Sequence, residues 1–170
     1  MVGMSDSDWA RDQVTRRSTT GWMVFIGLAL INWVSQLQSF IAQSSMEAET
    51  IAANKLLNEI ILMQNMFIES NLLPDSHTGT PMMIDNQAAI QAAYNSSVQG
   101  KTKHFDIQQF NLREKTASGR VVPTKVHTND NVSDMLTKPL DIQTLSRLRP
   151  RAGLIEDERR KKVRKDEEWI

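Results

Sequence analysis

The segment Ser44-Ser45-Met46-Glu47 constrains this chain more than any other. An S-x-x-E box satisfies amide donors that a helix start otherwise leaves without partners. The residues after it keep an apolar stripe until Glu69 or Ser70, just ahead of Pro74 and its polar neighbours. One long helix is therefore predicted from Ser44, and what flanks it decides the fold class. Ahead of it, residues 21–27, 30–34 and 39–42 are rich in β-branched and aromatic side chains and read as a meander of strands, with Gly27 offering the first turn. Behind it, 81–84 reads as a short buried strand, and 86–94 and 103–117 as helices. Residues 121–126 read as a strand that Pro123 confines to an edge or a bulge. Residues 128–131 supply caps for a short helix over 132–137, which Pro139 ends, and 140–148 reads as helical again. This order predicts an α/β fold with a central sheet covered by helices.

The 170 residues suffice for one domain with a real core. That domain is expected over 1–148. A charged tail over 149–170, disordered or loosely helical, is expected to follow, since nine of the 20 Lys and Arg residues lie in 147–170. The net charge is zero and the body before the tail is mildly acidic, which does not favour nonspecific binding to nucleic acid. An acidic cluster bridged by metal can still bind phosphate locally. With no cysteine, disulfides and thiolate metal sites are excluded, and any metal must take oxygen or histidine ligands, which suits hard ions such as Mg²⁺. No apolar run reaches the ~18 residues of a membrane span, and Met1 is not followed by a basic and then an apolar stretch. A non-secreted protein without a membrane partner is expected.

Four carboxylates stand out. At roughly 100° per residue, Ala52, Ala53, Leu56, Ile60, Met63 and Phe67 fall within about 60° of the direction of Glu49. Glu49 thus lies at the centre of the apolar stripe, where a carboxylate is costly unless it is paired or bound to a cation. The alternative is a half-buried first-turn acid that complements the helix dipole. Asp85 ends a buried strand ahead of a helix, where open α/β sheets place their ligand sites; alternatively it is that helix's N-cap. Asp6 ends the short N-terminal apolar piece, and Asp134 lies in the first turn after the 128–131 cap residues.

The local words narrow the reading. Ser5-Asp6-Ser7-Asp8-Trp9-Ala10, Arg16-Arg17-Ser18-Thr19-Thr20-Gly21, Ser44 to Glu49 with Ile51-Ala52-Ala53, Asp85-Asn86-Gln87-Ala88-Ala89, Thr102 to Ile107, Arg113-Glu114-Lys115 and Asp134-Met135-Leu136-Thr137-Lys138-Pro139-Leu140 occur in order over roughly residues 3–148. This succession resembles the ribonuclease H domain of copia-type retrotransposon Pol polyproteins. The resemblance implies a ribonuclease H-like fold: a mixed five-stranded sheet, with a three-strand antiparallel meander plus parallel strands, flanked by helices. It also implies a metal-dependent endonuclease that cuts the RNA strand of RNA–DNA hybrids, leaving 5′-phosphate and 3′-hydroxyl ends. Asp6, Glu49, Asp85 and Asp134 would then hold two Mg²⁺ ions, with Mn²⁺ as substitute, ~3.5–4 Å apart. Ser7, Asn86, Gln87, Lys103 and His104 become candidate substrate contacts, and His127 a candidate proton shuttle; the alternative is a surface helix start for Lys103 and His104 and a plain surface residue for His127. In the family a reverse transcriptase domain lies upstream in the same polyprotein. A monomer acting in the cytoplasm, in virus-like particles, or in the nucleus is the corresponding expectation. The alternative is a catalytically inactive relict that binds nucleic acid weakly or merely folds. Trp9, Trp22 and Trp33 are expected in the core or at its edge, with Trp9 beside Asp6.

Overall fold

The computed structural model describes residues 1–74, 79–95 and 103–154, without the side chains of Lys103 and His104. Of the tail expected over 149–170, residues 155–170 lie outside the described residues.

Five strands form one mixed sheet in the order β3-β2-β1-β4-β5. β1 (Val2–Asp8), β2 (Thr19–Ile26) and β3 (Ala29–Leu37) pair antiparallel. β4 (Thr80–Ile84) and β5 (Val121–Lys125) extend the sheet in parallel from β1. The expected mixed sheet and its helical cover are present. One expected strand is not, because residues 39–42 form no strand and the third member of the meander is β1. The ladder beyond β3 closes with the Gln38 amide on the Ser18 carbonyl. The chain then turns towards the long helix, with Ala42 buried beside Ala48 and Ile51. Ala42, with Phe40 partly buried against the same cluster, thus fills a corner of the core without pairing, while Ile41 is exposed. Pro123 is tolerated because β5 is an edge strand.

α1 (Ser45–Glu69) begins at the N-cap Ser44, whose hydroxyl accepts the Glu47 amide at 3.1 Å. The Glu47 carboxylate reaches the Gln43 amide at 2.8 Å, one residue upstream of the usual box partner. Ala53, Leu56, Leu57 and Ile60 bury the α1 stripe against Trp22, Val24, Met82 and Ile84 of the sheet. Gly3 makes this approach possible, since a Cβ there would meet Ile60 Cδ1 and Leu56 Cδ1 at 2.8 Å. α2 (Gln87–Tyr94) and α3 (Lys103–Ala117) complete this layer. The opposite face carries Met23, Phe25, Val132, Leu148 and Ala152. It is covered by a 3-10 turn, Val132–Leu136, and by α4 (Ile142–Arg151). α4 runs past residue 148, and Ala152 at its C-cap is still buried. Trp22 is in the core, whereas Trp33 lies on the edge strand β3 and is 58% exposed. No helix among the described residues is long and apolar enough to cross a membrane.

Candidate metal centre

Parallel pairing of β1 with β4 ends at Ser5 opposite Ile84, so Asp85 emerges at the carboxyl end of β4 beside Asp6, which lies near the carboxyl end of β1 and is still paired with Gly21 of β2. Open α/β sheets place their ligand sites at such an edge. Glu49 projects from the first turns of α1 over the same edge. Its Oε1 accepts the Ser7 amide at 3.0 Å, while Oε2 is buried with no hydrogen-bond partner among the described residues. One carboxylate oxygen each of Asp6, Glu49 and Asp85 lies within 4.8 Å of the others. Opposed oxygens on a Mg²⁺ ion stand about 4.2 Å apart, twice the usual bond length. A small inward movement would therefore let all three share one ion. Three hard oxygens and an orphaned buried lone pair fit a divalent cation.

Asp134 lies outside that group of three, in side-chain contact with Asp6. The 3-10 turn Val132–Leu136 carries it and is fastened to β1 by Asn131, whose side-chain amide donates to the Ser5 carbonyl at 2.9 Å. Gly21 on β2 admits the turn: a Cβ there would stand 2.6 Å from Thr137 Cγ2 and 2.8 Å from Leu136 Cβ. The Thr137 hydroxyl donates to Asp6 Oδ2. The Lys138 ammonium lies 3.1 Å from Asp134 Oδ1 and 3.6 Å from Asp6 Oδ2. Thr137 and Lys138 thus belong to the site although sequence reasoning did not single them out. Their signal was Lys138 at i+4 from Asp134, which puts the two on one face of a turn.

The electrostatics record crowding. Burial, then the charges of Asp6 and Asp85, push the Glu49 carboxyl well above the usual range. Burial and Asp6 raise Asp85 as well, against the Thr128 hydroxyl and the Lys138 and Lys125 charges. Burial and Asp6 lift Asp134 to about 7 against its contact with Lys138. Burial alone would lower Lys138, but Asp6 and Asp134 outweigh it and raise it.

The other candidate residues are more dispersed. Ser7 contributes its backbone amide to Glu49. The cap of α2 is Asn86, whose side chain accepts the Ala89 amide at 3.0 Å, so Asp85 is free of that duty. The Lys125 ammonium reaches the Asp85 carbonyl. Gln87 is exposed. His127 is exposed and caps the Thr128–Asp130 turn, its Nδ1 accepting the Asn129 amide at 3.2 Å. The side chains of Lys103 and His104 lie outside the described residues. Trp9 is 49% exposed, and its indole N–H donates to the Ala42 carbonyl at 2.9 Å.

A mixed five-stranded sheet with this strand order, carrying carboxylates at the β1–β4 edge, defines a ribonuclease H-type domain. Comparison with solved structures agrees. Ribonuclease H1 from the archaeon Halobacterium salinarum superposes with a TM-score of 0.54 at 12% identity, over 79% of this chain and 92% of that one. A compost-derived ribonuclease H1 in complex with an RNA/DNA hybrid gives 0.50 at 11% identity, over 80% of this chain and 92% of that one. No family model matches the sequence. The retrovirus-related Pol polyprotein from transposon TNT 1-94 of Nicotiana tabacum is 35% identical over 138 residues, covering 81% of this chain and 10% of the polyprotein. That from transposon RE1 of Arabidopsis thaliana is 31% identical over 137 residues, covering 80% of this chain and 9% of the polyprotein. The chain is a ribonuclease H domain of the retrovirus-related transposon Pol polyprotein family. It spans about a tenth of the length of these relatives.

Proposed function

We propose that this domain hydrolyses the RNA strand of RNA–DNA hybrids with the help of divalent ions, Mg²⁺ with Mn²⁺ as substitute. The observation that carries the reading is the convergence of Asp6, Glu49 and Asp85 within 4.8 Å around a buried, unpartnered Glu49 oxygen. Bound between these carboxylates and Asp134, two such ions would supply an activated water and positive charge for the departing 3′ oxygen.

The protein's own part is to hold the oxygens ready. The Ser7 amide fixes Glu49 Oε1 and leaves Oε2 for the cation. The Thr137 hydroxyl orients Asp6. Asn86, by capping α2, leaves the Asp85 carboxylate available. With its Nδ1 accepting from Asn129, His127 carries its proton on Nε2, the atom through which it would shuttle protons. The hybrid-bound ribonuclease H1 of the same fold supports the substrate class, and the Pol polyprotein relatives support a place within such a polyprotein, where the resemblance implies an upstream reverse transcriptase. A monomeric domain acting in the cytoplasm or the nucleus suits that role. Incubating the protein with a labelled RNA–DNA hybrid in Mg²⁺, and again in EDTA, tests the reading. Cleavage of the RNA strand only with Mg²⁺ is expected, and intact hybrid in both would leave a folded, inactive relict.

A further inference from the structure

The four carboxylates do not form one evenly shared cluster. Asp6, Glu49 and Asp85 face one another, and Asp134 touches Asp6 outside that group of three, with one ammonium group reaching both. Resting on the metal-dependent reading above, we infer that Lys138 is a built-in counter-ion occupying the second cation position, between Asp6 and Asp134. Its charge makes the two positions unequal. The Asp6–Glu49–Asp85 position has an orphaned buried oxygen and takes a divalent ion directly. The Asp6–Asp134 position takes one only when the ammonium moves away.

Three features support this assignment. Both Lys138 contacts go to carboxylates that the second ion would need, at 3.1 and 3.6 Å. The side chain remains 28% exposed, so solvent offers the ammonium an exit. Lys138 follows Thr137, whose hydroxyl holds Asp6, so the stem of the lysine is anchored while its flexible end can leave. Lys138 is thus a positioning residue: it neutralises Asp134 and Asp6 in the metal-free domain and sets the order of ion loading.

Titration of the whole chain with Mn²⁺ alone, without nucleic acid, tests this, with bound ions counted by electron paramagnetic resonance and calorimetry. The parent should bind one ion well and a second weakly. Lys138→Met and Lys138→Gln should tighten the second ion by about tenfold or more, because a like charge ~4 Å away is gone. Lys138→Arg, which keeps the charge, should leave the second ion weak. Adding Asp134→Asn to Lys138→Met should abolish second-ion binding while retaining the first. Equal second-ion affinities in the parent, Met, Gln and Arg proteins would overturn the inference and leave the metal-dependent reading standing. No ion bound by any of them would overturn both.

Discussion

Replacing Asp134 with Asn tests the crowding of the site in a protein stripped of metal. In the folded domain Asp134 is lifted from 3.8 to about 7 by burial and by Asp6. A carboxyl raised in this way contributes stability that is fully present below about 3.8 and is lost as pH rises through about 7, since the unfolded chain gives up the proton first. The difference corresponds to roughly 4 kcal/mol at most, and relaxation of Lys138 around the charge brings a realistic figure to about 2–3 kcal/mol. Asp134→Asn deletes this titration. Guanidinium unfolding in EDTA at pH 4, 6 and 8 should therefore show the mutant gaining steadily on the parent, by about 2–3 kcal/mol between the extremes. Glu49 and Asp85, also raised, give both proteins a shared decline, and the difference curve reports Asp134 together with its coupling to Asp6. Saturating Mg²⁺ should stabilise the parent at pH 8 more than the mutant, because ions that bind only the folded state act by mass action. Parallel pH profiles for the two metal-free proteins would refute the reasoning.

Asp85→Asn should abolish Mg²⁺-dependent hybrid cleavage while leaving the metal-free melting temperature unchanged or higher, since it removes one of three crowded charges and Asn86 keeps the α2 cap. Gly21→Ala should cost about 1–3 kcal/mol in denaturant unfolding, because its Cβ would overlap Thr137 and Leu136, and it should weaken Mn²⁺ binding by displacing the turn that carries Asp134. Wild-type stability in that mutant would mean that the turn does not pack as closely as described. Ser44→Ala should lower stability by about 1 kcal/mol in denaturant unfolding through loss of the α1 cap.

Much of this domain was legible without coordinates because its signals are local. The box at Ser44 places the start of α1, since a cap is chemistry between residues three apart. Helical periodicity places Glu49 on the buried stripe because the angle between side chains depends only on their spacing. The short apolar strand placed Asp85 at a sheet edge. Residues 39–42 misled because side chains such as Phe40 and Ala42 fill a core corner as readily as they join a strand, and the partner is set by distant chain. In the sequence Asp85 reads as a possible cap of the following helix, and only the path of the chain into α2 gives that role to Asn86. The amino-acid sequence by itself determined which carboxylates exist and which elements carry them. Tertiary structure alone decided their grouping: Asp6, Glu49 and Asp85 within reach of one ion, and Asp134 and Lys138 joined to that group through Asp6. That grouping depends on two close approaches, α1 over Gly3 and the 3-10 turn over Gly21, between segments far apart in the chain, and no local propensity encodes such a distance.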